Sequence, residues 1–191
     1  MLPLFPLGIL ILPNGRTRLR IFEPRYKRLV AVASQRGGFV MCLPLVNGQL
    51  PLVGTQVNIE DFNQLEDGLL EITIIGQQRV LLSEATQEDD GLWFAKIDAL
   101  ENLPSIEVQD EYQLLAVSLL EILTELNLYS EVELLNVSDQ TWLAQRWAEL
   151  IPFTRDIQLQ ILQQQQAASL NKLVLDLVFT HIGKARTNYD A

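Results

Sequence analysis

The sequence is poor in the side chains on which disulfide and metal chemistry depend. Its 191 residues contain one cysteine, Cys42, and one histidine, His181. A disulfide framework needs paired cysteines, and a structural zinc site takes four Cys or His ligands, so both are excluded. Because this cysteine usage is typical of reducing compartments, we expect a cytoplasmic protein.

Long apolar runs are also lacking. Residues 1–13 are mostly apolar, but Pro3, Pro6 and Pro13 interrupt them and no basic segment precedes them, unlike in a signal peptide. The run is also shorter than the roughly 20 residues that span a bilayer. We therefore predict a buried extended segment and no membrane association.

Basic side chains are scarce and unevenly placed. The chain has 14 Lys and Arg against 24 Asp and Glu, a net charge of −10. Residues 1–36 nevertheless carry seven basic side chains and one acidic one, a local charge of +6. The overall charge disfavours polyphosphate ligands. For the basic region two interpretations stay open, namely pairing with the acidic remainder of the chain and a recognition surface.

Motifs of catalysis are missing as well. The sequence contains no G-x-G-x-x-G or G-x-S-x-G motif, and Gly183-Lys184 closes a predicted helix instead of opening one. Cys42 lies in an apolar strand, where packing is expected, and His181 lies in the last turn of the final helix, where it favours the helix dipole. We predict no catalytic residue, no cofactor and no metal site. Binding of a divalent cation by the acidic loop 88–90 stays open.

Hydrophobic periodicity divides the chain. Residues 16–22 alternate, which places Arg16, Arg18 and Arg20 on one face of a strand. Further strands are predicted at 39–43, 53–62, 70–82 and 92–100, with a helix from Pro24 to Gly37 between the first two. Beyond Pro104 the period becomes 3.6, which predicts helices at 107–127, 139–150, 155–162 and 170–183.

This pattern indicates an α+β fold. We expect a twisted β-barrel or sheet with one inserted helix in residues 1–103 and an α-helical bundle in residues 104–191. The chain contains 36 leucines, and their helical stripes could be buried within one chain or in a dimer interface. The oligomeric state therefore stays open.

Several segments resemble a known family. These are Leu2-Pro-Leu-Phe-Pro-Leu7, Ile21-Phe-Glu-Pro-Arg-Tyr26, Val53-Gly-Thr55 and Gly76-Gln-Gln-Arg79. They resemble the N-terminal, substrate-binding (LON) domain of Lon proteases, and Trp142–Pro152 and Leu170–Leu177 are similar to its helical tail. The resemblance covers essentially the whole chain. It implies a PUA-like β-rich subdomain followed by helices.

The resemblance also implies a role. In the protease this domain contributes to substrate recognition, whereas ATP hydrolysis and peptide cleavage reside downstream. The 191 residues contain no Walker motif and no proteolytic Ser–Lys domain. We therefore expect a stand-alone LON domain that is not an enzyme.

The I-F-E-P-R-Y segment is expected to be structural. After Ile21, the residues of this structural motif are Phe22, Glu23, Pro24, Arg25 and Tyr26. We expect Phe22 to be buried at the strand-to-helix corner, Pro24 to fix the backbone there, and Glu23 and Arg25 either to bridge across it or to cap backbone groups. The segment is thus predicted to be scaffold.

Two functions compete. The first is a binding module for unfolded polypeptide or exposed apolar segments, an adaptor in protein quality control whose partners are polypeptide substrates or the proteolysis machinery. The alternative is RNA binding through Arg16, Arg18 and Arg20, because PUA-like folds have relatives that bind RNA. The arginine face has no interleaved aromatic residues for base stacking, and the net charge opposes the encounter.

Overall fold

The structure, a computed structural model, describes residues 1–187, with side chains described as far as Thr180. The chain divides into two compact units, Met1–Asn102 and a second that begins at Leu103. Six strands and one helix form the first unit, and helices form the second. The predicted α+β class is confirmed.

The first unit is built on one mixed sheet. Its elements are β1 (Leu2–Pro6), β2 (Arg16–Ile21), α1 (Pro24–Arg36), β3 (Phe39–Cys42), β4 (Val53–Gln64), β5 (Leu70–Gln87) and β6 (Trp93–Ala99). The strand order is β2-β5-β4-β3-β1-β6, and β6 also pairs with the second half of β5. Five strands therefore close into a ring, while β2 lies outside it at an edge.

The ring is not a regular barrel. The β1–β3 pair is parallel and the other pairs are antiparallel, and the register shifts within both the β4–β5 and β5–β6 pairs. Along β3, Phe39 and Met41 belong to one buried apolar cluster and Val40 and Cys42 to another. Since both faces of β3 are buried, its sequence is continuously apolar instead of alternating.

The inserted helix α1 follows its sequence signals. Pro24 occupies the first helical position, where a missing backbone N–H leaves no hydrogen bond unmade. Gly37 ends the helix in the left-handed conformation, with φ of 76°, and its N–H donates to the carbonyl oxygen of Ala33. Leu29 and Ala33 are buried against the sheet. The predicted helix is confirmed.

A close backbone contact holds the segment between β1 and β2 on the sheet. The N–H of Asn14 donates to the carbonyl oxygen of Gly76 at 2.8 Å. The N–H of Gly76 in turn donates to the carbonyl oxygen of Gly15, also at 2.8 Å. A Cβ atom at position 76 would lie 2.0 Å from the carbonyl oxygen of Leu12. Glycine is therefore required here by the approach of a second backbone.

The second unit consists of α2 (Gln113–Leu126), α3 (Glu131–Leu134), α4 (Gln140–Leu150), α5 (Arg155–Gln163) and α6 (Ala167–Thr187). The four predicted helices are present, and the short α3 was not predicted. The expected end at Gly183 is wrong because α6 continues to Thr187; one interior glycine costs a helix only about 1 kcal/mol. The predicted position of His181 in the last turn is wrong for the same reason, because the residue lies within α6, six residues before its end. Within the described residues, no helix is long and apolar enough to cross a membrane.

Helix α4 is buried along most of its length. Asp139 caps it, since its carboxylate accepts hydrogen bonds from the N–H groups of Thr141 and Trp142 at 2.8 and 3.4 Å. The fully buried guanidinium of Arg146 donates to both carboxylate oxygens of Glu149 at 2.8 Å. This bidentate pair offsets the desolvation of the buried charge.

We predict that Gly76→Ala destabilises the protein by about 3 kcal/mol, the upper end of the range for overpacking, because a backbone carbonyl cannot rotate away from the new methyl group. Urea denaturation measures the change. Gly8→Ala is the matched control, since no atom lies within 4 Å of a Cβ at that position. Equal stability of the two variants would contradict the close approach.

Candidate functional site

A pocket of about 330 Å³ lies beside the edge strand, and we call it the β2 pocket. Three segments line it, namely the end of β1 with the residues that follow, β2, and the start of α1. Its apolar lining consists of Phe5, Pro6, Leu7, Ile9, Leu19, Phe22 and Tyr26. Its charged lining consists of Arg18, Arg20, Glu23 and Arg25.

The pocket brings together most of the residues that the sequence singled out. They are Arg18, Arg20, Phe22, Glu23, Arg25 and Tyr26. Arg16 and Pro24 are not part of its lining. Instead, the guanidinium of Arg16 binds the carboxylate of Glu60 on β4 in a bidentate ion pair, with N–O distances of 2.7 and 2.9 Å. Arg16 therefore joins two strands of its own unit.

The expected burial of Phe22 is wrong. Its side chain is 66% exposed and lies at the pocket. The neighbouring Ile21 points into the core and is only 1% exposed, so the alternation of β2 directs the next side chain outwards. An exposed aromatic ring beside a half-apolar pocket is a feature typical of binding surfaces.

Tyr26 forms the inner wall of the pocket. Its ring packs edge-on against Phe5 with a centroid distance of 4.1 Å, and the guanidinium of Arg25 lies 4.7 Å from the ring centroid. Glu23 and Arg25 form the predicted bridge, with 2.7 Å between Oε2 and Nη2. Burial raises the pKa of Tyr26, so its phenol stays protonated at neutral pH and can donate a hydrogen bond.

The edge of the sheet lies next to this pocket. Strand β2 pairs with β5 on one side, and no other strand among residues 1–187 pairs with it. Leu19 is buried, whereas Arg18 and Arg20 are exposed. An edge strand bordered by an apolar pocket can accept an extended peptide as an additional strand.

The acidic loop after β5 is bound by an arginine. Arg28 of α1 donates to Glu88 at 2.5 Å and to Asp90 at 3.0 Å. The N–H of Leu92 donates to the Asp90 carboxylate as well, and this hydrogen bond, together with that from Arg28, lowers the pKa of Asp90. Among the described side chains, no group of three or more His, Cys, Asp or Glu is placed to hold a metal ion.

Two other cavities are less suited to apolar ligands. One, of about 410 Å³, is lined by Arg28, Glu88, Asp89 and Asp90, all of them charged. The other, of about 340 Å³, lies between the end of α1 and β4 and includes the exposed Phe62. The β2 pocket alone among these three borders the edge strand β2.

Comparison with known proteins identifies the family. The model of the ATP-dependent protease La (LON) substrate-binding domain matches residues 1–179. The chain belongs to the LON substrate-binding domain family. A comparison with curated protein sequences finds no match.

Solved structures of LON domains are similar to both units. The Lon N-terminal domain protein from Xanthomonas campestris is 31% identical, with a TM-score of 0.72 over 92% of this chain and 96% of that one. The N-terminal domain of the Mycobacterium avium complex Lon protease is 15% identical, with a TM-score of 0.62 over the same shares. The second likeness shows that the LON fold persists at low identity.

The sequence did not predict that the residues directly after β1 line the β2 pocket. Leu7 and Ile9 were expected to be part of a buried extended segment, but Leu7 is half-buried and Ile9 is 39% exposed. The available signal was Gly8, which interrupts the apolar run directly after β1. A glycine between two large apolar residues is typical of a chain that leaves its strand.

We predict that Phe22→Ala changes the free energy of unfolding by no more than about 0.5 kcal/mol, because the ring is mostly in solvent. Phe5→Ala, at a position only 6% exposed, should cost about 3–5 kcal/mol. Urea denaturation of both variants checks this. A large loss of stability in Phe22→Ala would show that this ring is part of the structural scaffold.

The lowered pKa of Asp90 predicts a pH-dependent contribution to stability. A carboxylate with a depressed pKa stabilises the fold above its ordinary pKa of 3.8, and this contribution is lost as the pH falls through the lower pKa of the folded state. Asp90→Asn should therefore be less stable than the parent protein at about pH 6, and the difference should shrink as the pH falls below 3.8. Asp89→Asn is the control. A difference that does not change with pH would contradict the prediction.

Proposed function

We propose that this LON domain binds polypeptide without transforming it, and that the β2 pocket receives an exposed apolar segment in extended conformation. Three observations support this, namely the family, the exposed ring of Phe22 and the edge position of β2. The observation that carries the proposal is that the pocket and the sheet edge adjoin. One ligand can therefore use its backbone and a side chain together.

The backbone of the ligand provides sequence-independent affinity. An added strand forms main-chain hydrogen bonds that every residue except proline can make. This binding mode suits a protein whose ligands are all unfolded but differ in sequence. The same binding mode requires the ligand to be extended, so a folded protein is excluded unless it exposes a flexible segment.

A side chain of the ligand provides selectivity for apolar character. The volume of about 330 Å³ is at the lower end of the range for ligand pockets and suits one large apolar side chain. Burial of one such side chain contributes about 1.5–3 kcal/mol, which is at least about tenfold in affinity. Arg18 and Arg20 add a preference for acidic residues beside the inserted side chain.

Binding without catalysis is consistent with the groups at the pocket. Glu23 is ion-paired with Arg25, and burial raises the pKa of Tyr26, so its phenol is protonated at neutral pH. We infer an adaptor role in protein quality control, in which the domain presents captured segments to the proteolysis machinery. This role rests on the family and on the pocket together.

The test uses a fluorescein-labelled peptide of 12 residues with one central Phe, flanked by Thr, Ser and Asp, and measures anisotropy with the full chain. We expect binding that weakens about tenfold in Phe22→Ser. Phe62→Ser is the matched control, because Phe62 is 74% exposed and lies at a different cavity. Its affinity should equal that of the parent.

Two further ligands separate the alternatives. A copy of the peptide with N-methyl groups at alternate residues should bind at least tenfold more weakly, because it cannot complete a β-ladder. A 20-nucleotide oligouridylate tests the RNA hypothesis. Salt-dependent binding of this RNA that Arg18→Glu abolishes, without binding of the peptide, would replace our proposal with the alternative.

A further inference from the structure

The second unit exposes an apolar stripe on the outer side of α2. Leu114, Val117 and Leu120 are 53%, 55% and 37% exposed, and their spacing of three residues places them along one side of the helix. We call these three residues the α2 stripe. None of them lies at the β2 pocket.

The opposite side of α2 is packed. Leu115, Leu119 and Leu123 are at most 3% exposed, and the indole N–H of Trp147 on α4 donates to the carbonyl oxygen of Leu115 at 3.2 Å. The helix is therefore anchored by its own apolar face. The leucine-rich sequence of α2 supplies more apolar surface than its unit buries, and the excess is collected in the α2 stripe.

The surroundings of the α2 stripe are acidic. Residues 103–145 contain eight Asp and Glu and no Lys, Arg or His. Glu111 precedes the stripe, and Glu121 and Glu125 follow along α2, all three exposed. This segment is thus apolar and negatively charged at once.

We propose that the outer face of α2 is a docking surface for a basic amphipathic helix, a partner distinct from the extended segment in the β2 pocket. The apolar side of the partner would cover Leu114, Val117 and Leu120, and its Lys and Arg side chains would reach the surrounding carboxylates. The α2 stripe spans about 9 Å along the helix axis, which matches two turns of a partner helix.

The chemistry of the surface selects this occupant. The side of a helix presents no unpaired backbone groups, so an extended strand would gain no ladder there, whereas a second helix can pack ridges into grooves. A second copy of this chain that met the face by two-fold symmetry would bring the same carboxylates together. Charge complementarity therefore favours a basic partner over self-association.

The probe is a fluorescein-labelled 18-residue peptide of Leu and Lys with leucines at helical positions i, i+3, i+4 and i+7. Its binding to the full chain is followed by anisotropy, and its helix content by circular dichroism. We expect saturable binding, a gain in peptide helicity, and weakening between about 50 and 500 mM salt. A scrambled peptide of the same composition should bind at least about tenfold more weakly, because its leucines do not form one face.

The decisive variant is the double substitution Leu114→Ser/Val117→Ser, which keeps every charge. It should bind at least about tenfold more weakly, while Leu52→Ser, at a position 69% exposed in the first unit, should bind like the parent. Phe22→Ser should also bind the Leu/Lys peptide like the parent. A failure of the α2 proposal is therefore distinguishable from a failure of the proposed function of the β2 pocket. Glu121→Lys/Glu125→Lys is a second variant that weakens binding through charge.

Three results would overturn the proposal. The first is equal binding of the peptide by the parent and the double variant, which would show that net charge alone causes the binding. The second is equal binding of a peptide in which Glu replaces every Lys. The third is a dimer of the chain by sedimentation that the double variant abolishes, which would make a second copy the occupant. Thermal melting of each variant verifies that it is folded.

Discussion

The approach of the N-terminal segment to β5 is the contact on which the pocket depends. The two hydrogen bonds at Gly76 hold Asn14 and Gly15 on the sheet, and the hydroxyl of Thr55 donates to the carbonyl oxygen of Ile11 at 2.7 Å. These contacts fix a segment without regular secondary structure of its own. Because the start of that segment forms one wall of the β2 pocket, a side chain at position 76 would act on the site from a distance.

Charge is divided unevenly between the two units, and the two partners that we propose differ accordingly. Arginines line the pocket of the first unit, while the first 43 residues of the second unit have no basic side chain. The bidentate ion pair of Arg16 with Glu60 lies within the first unit and joins β2 to β4. In our proposals the side chains at the β2 pocket and the carboxylates along α2 select different ligands.

Much of this architecture could be predicted from periodicity, and the failures have physical causes. The alternation of β2 and the signals at Pro24 and Gly37 are local, and the structure confirms them. The same alternation directs Phe22 outwards, against the burial that we expect from its place at the strand-to-helix corner. The pocket itself was not predictable, because the parallel pairing of β1 with β3 joins residues some 36 positions apart and no local pattern encodes it.

The pairing of β1 bears on the order in which the first unit can form. This first strand lies between β3 and β6, and Leu2 is paired with Ala95. During synthesis β1 is made first, but it cannot complete its pairing until β6, the last strand of the ring, has been made. A nascent chain that ends before β6 can form neither the β1–β6 pair nor the closed ring, so the wall of the β2 pocket that follows β1 is held in place only after the whole first unit has been synthesised.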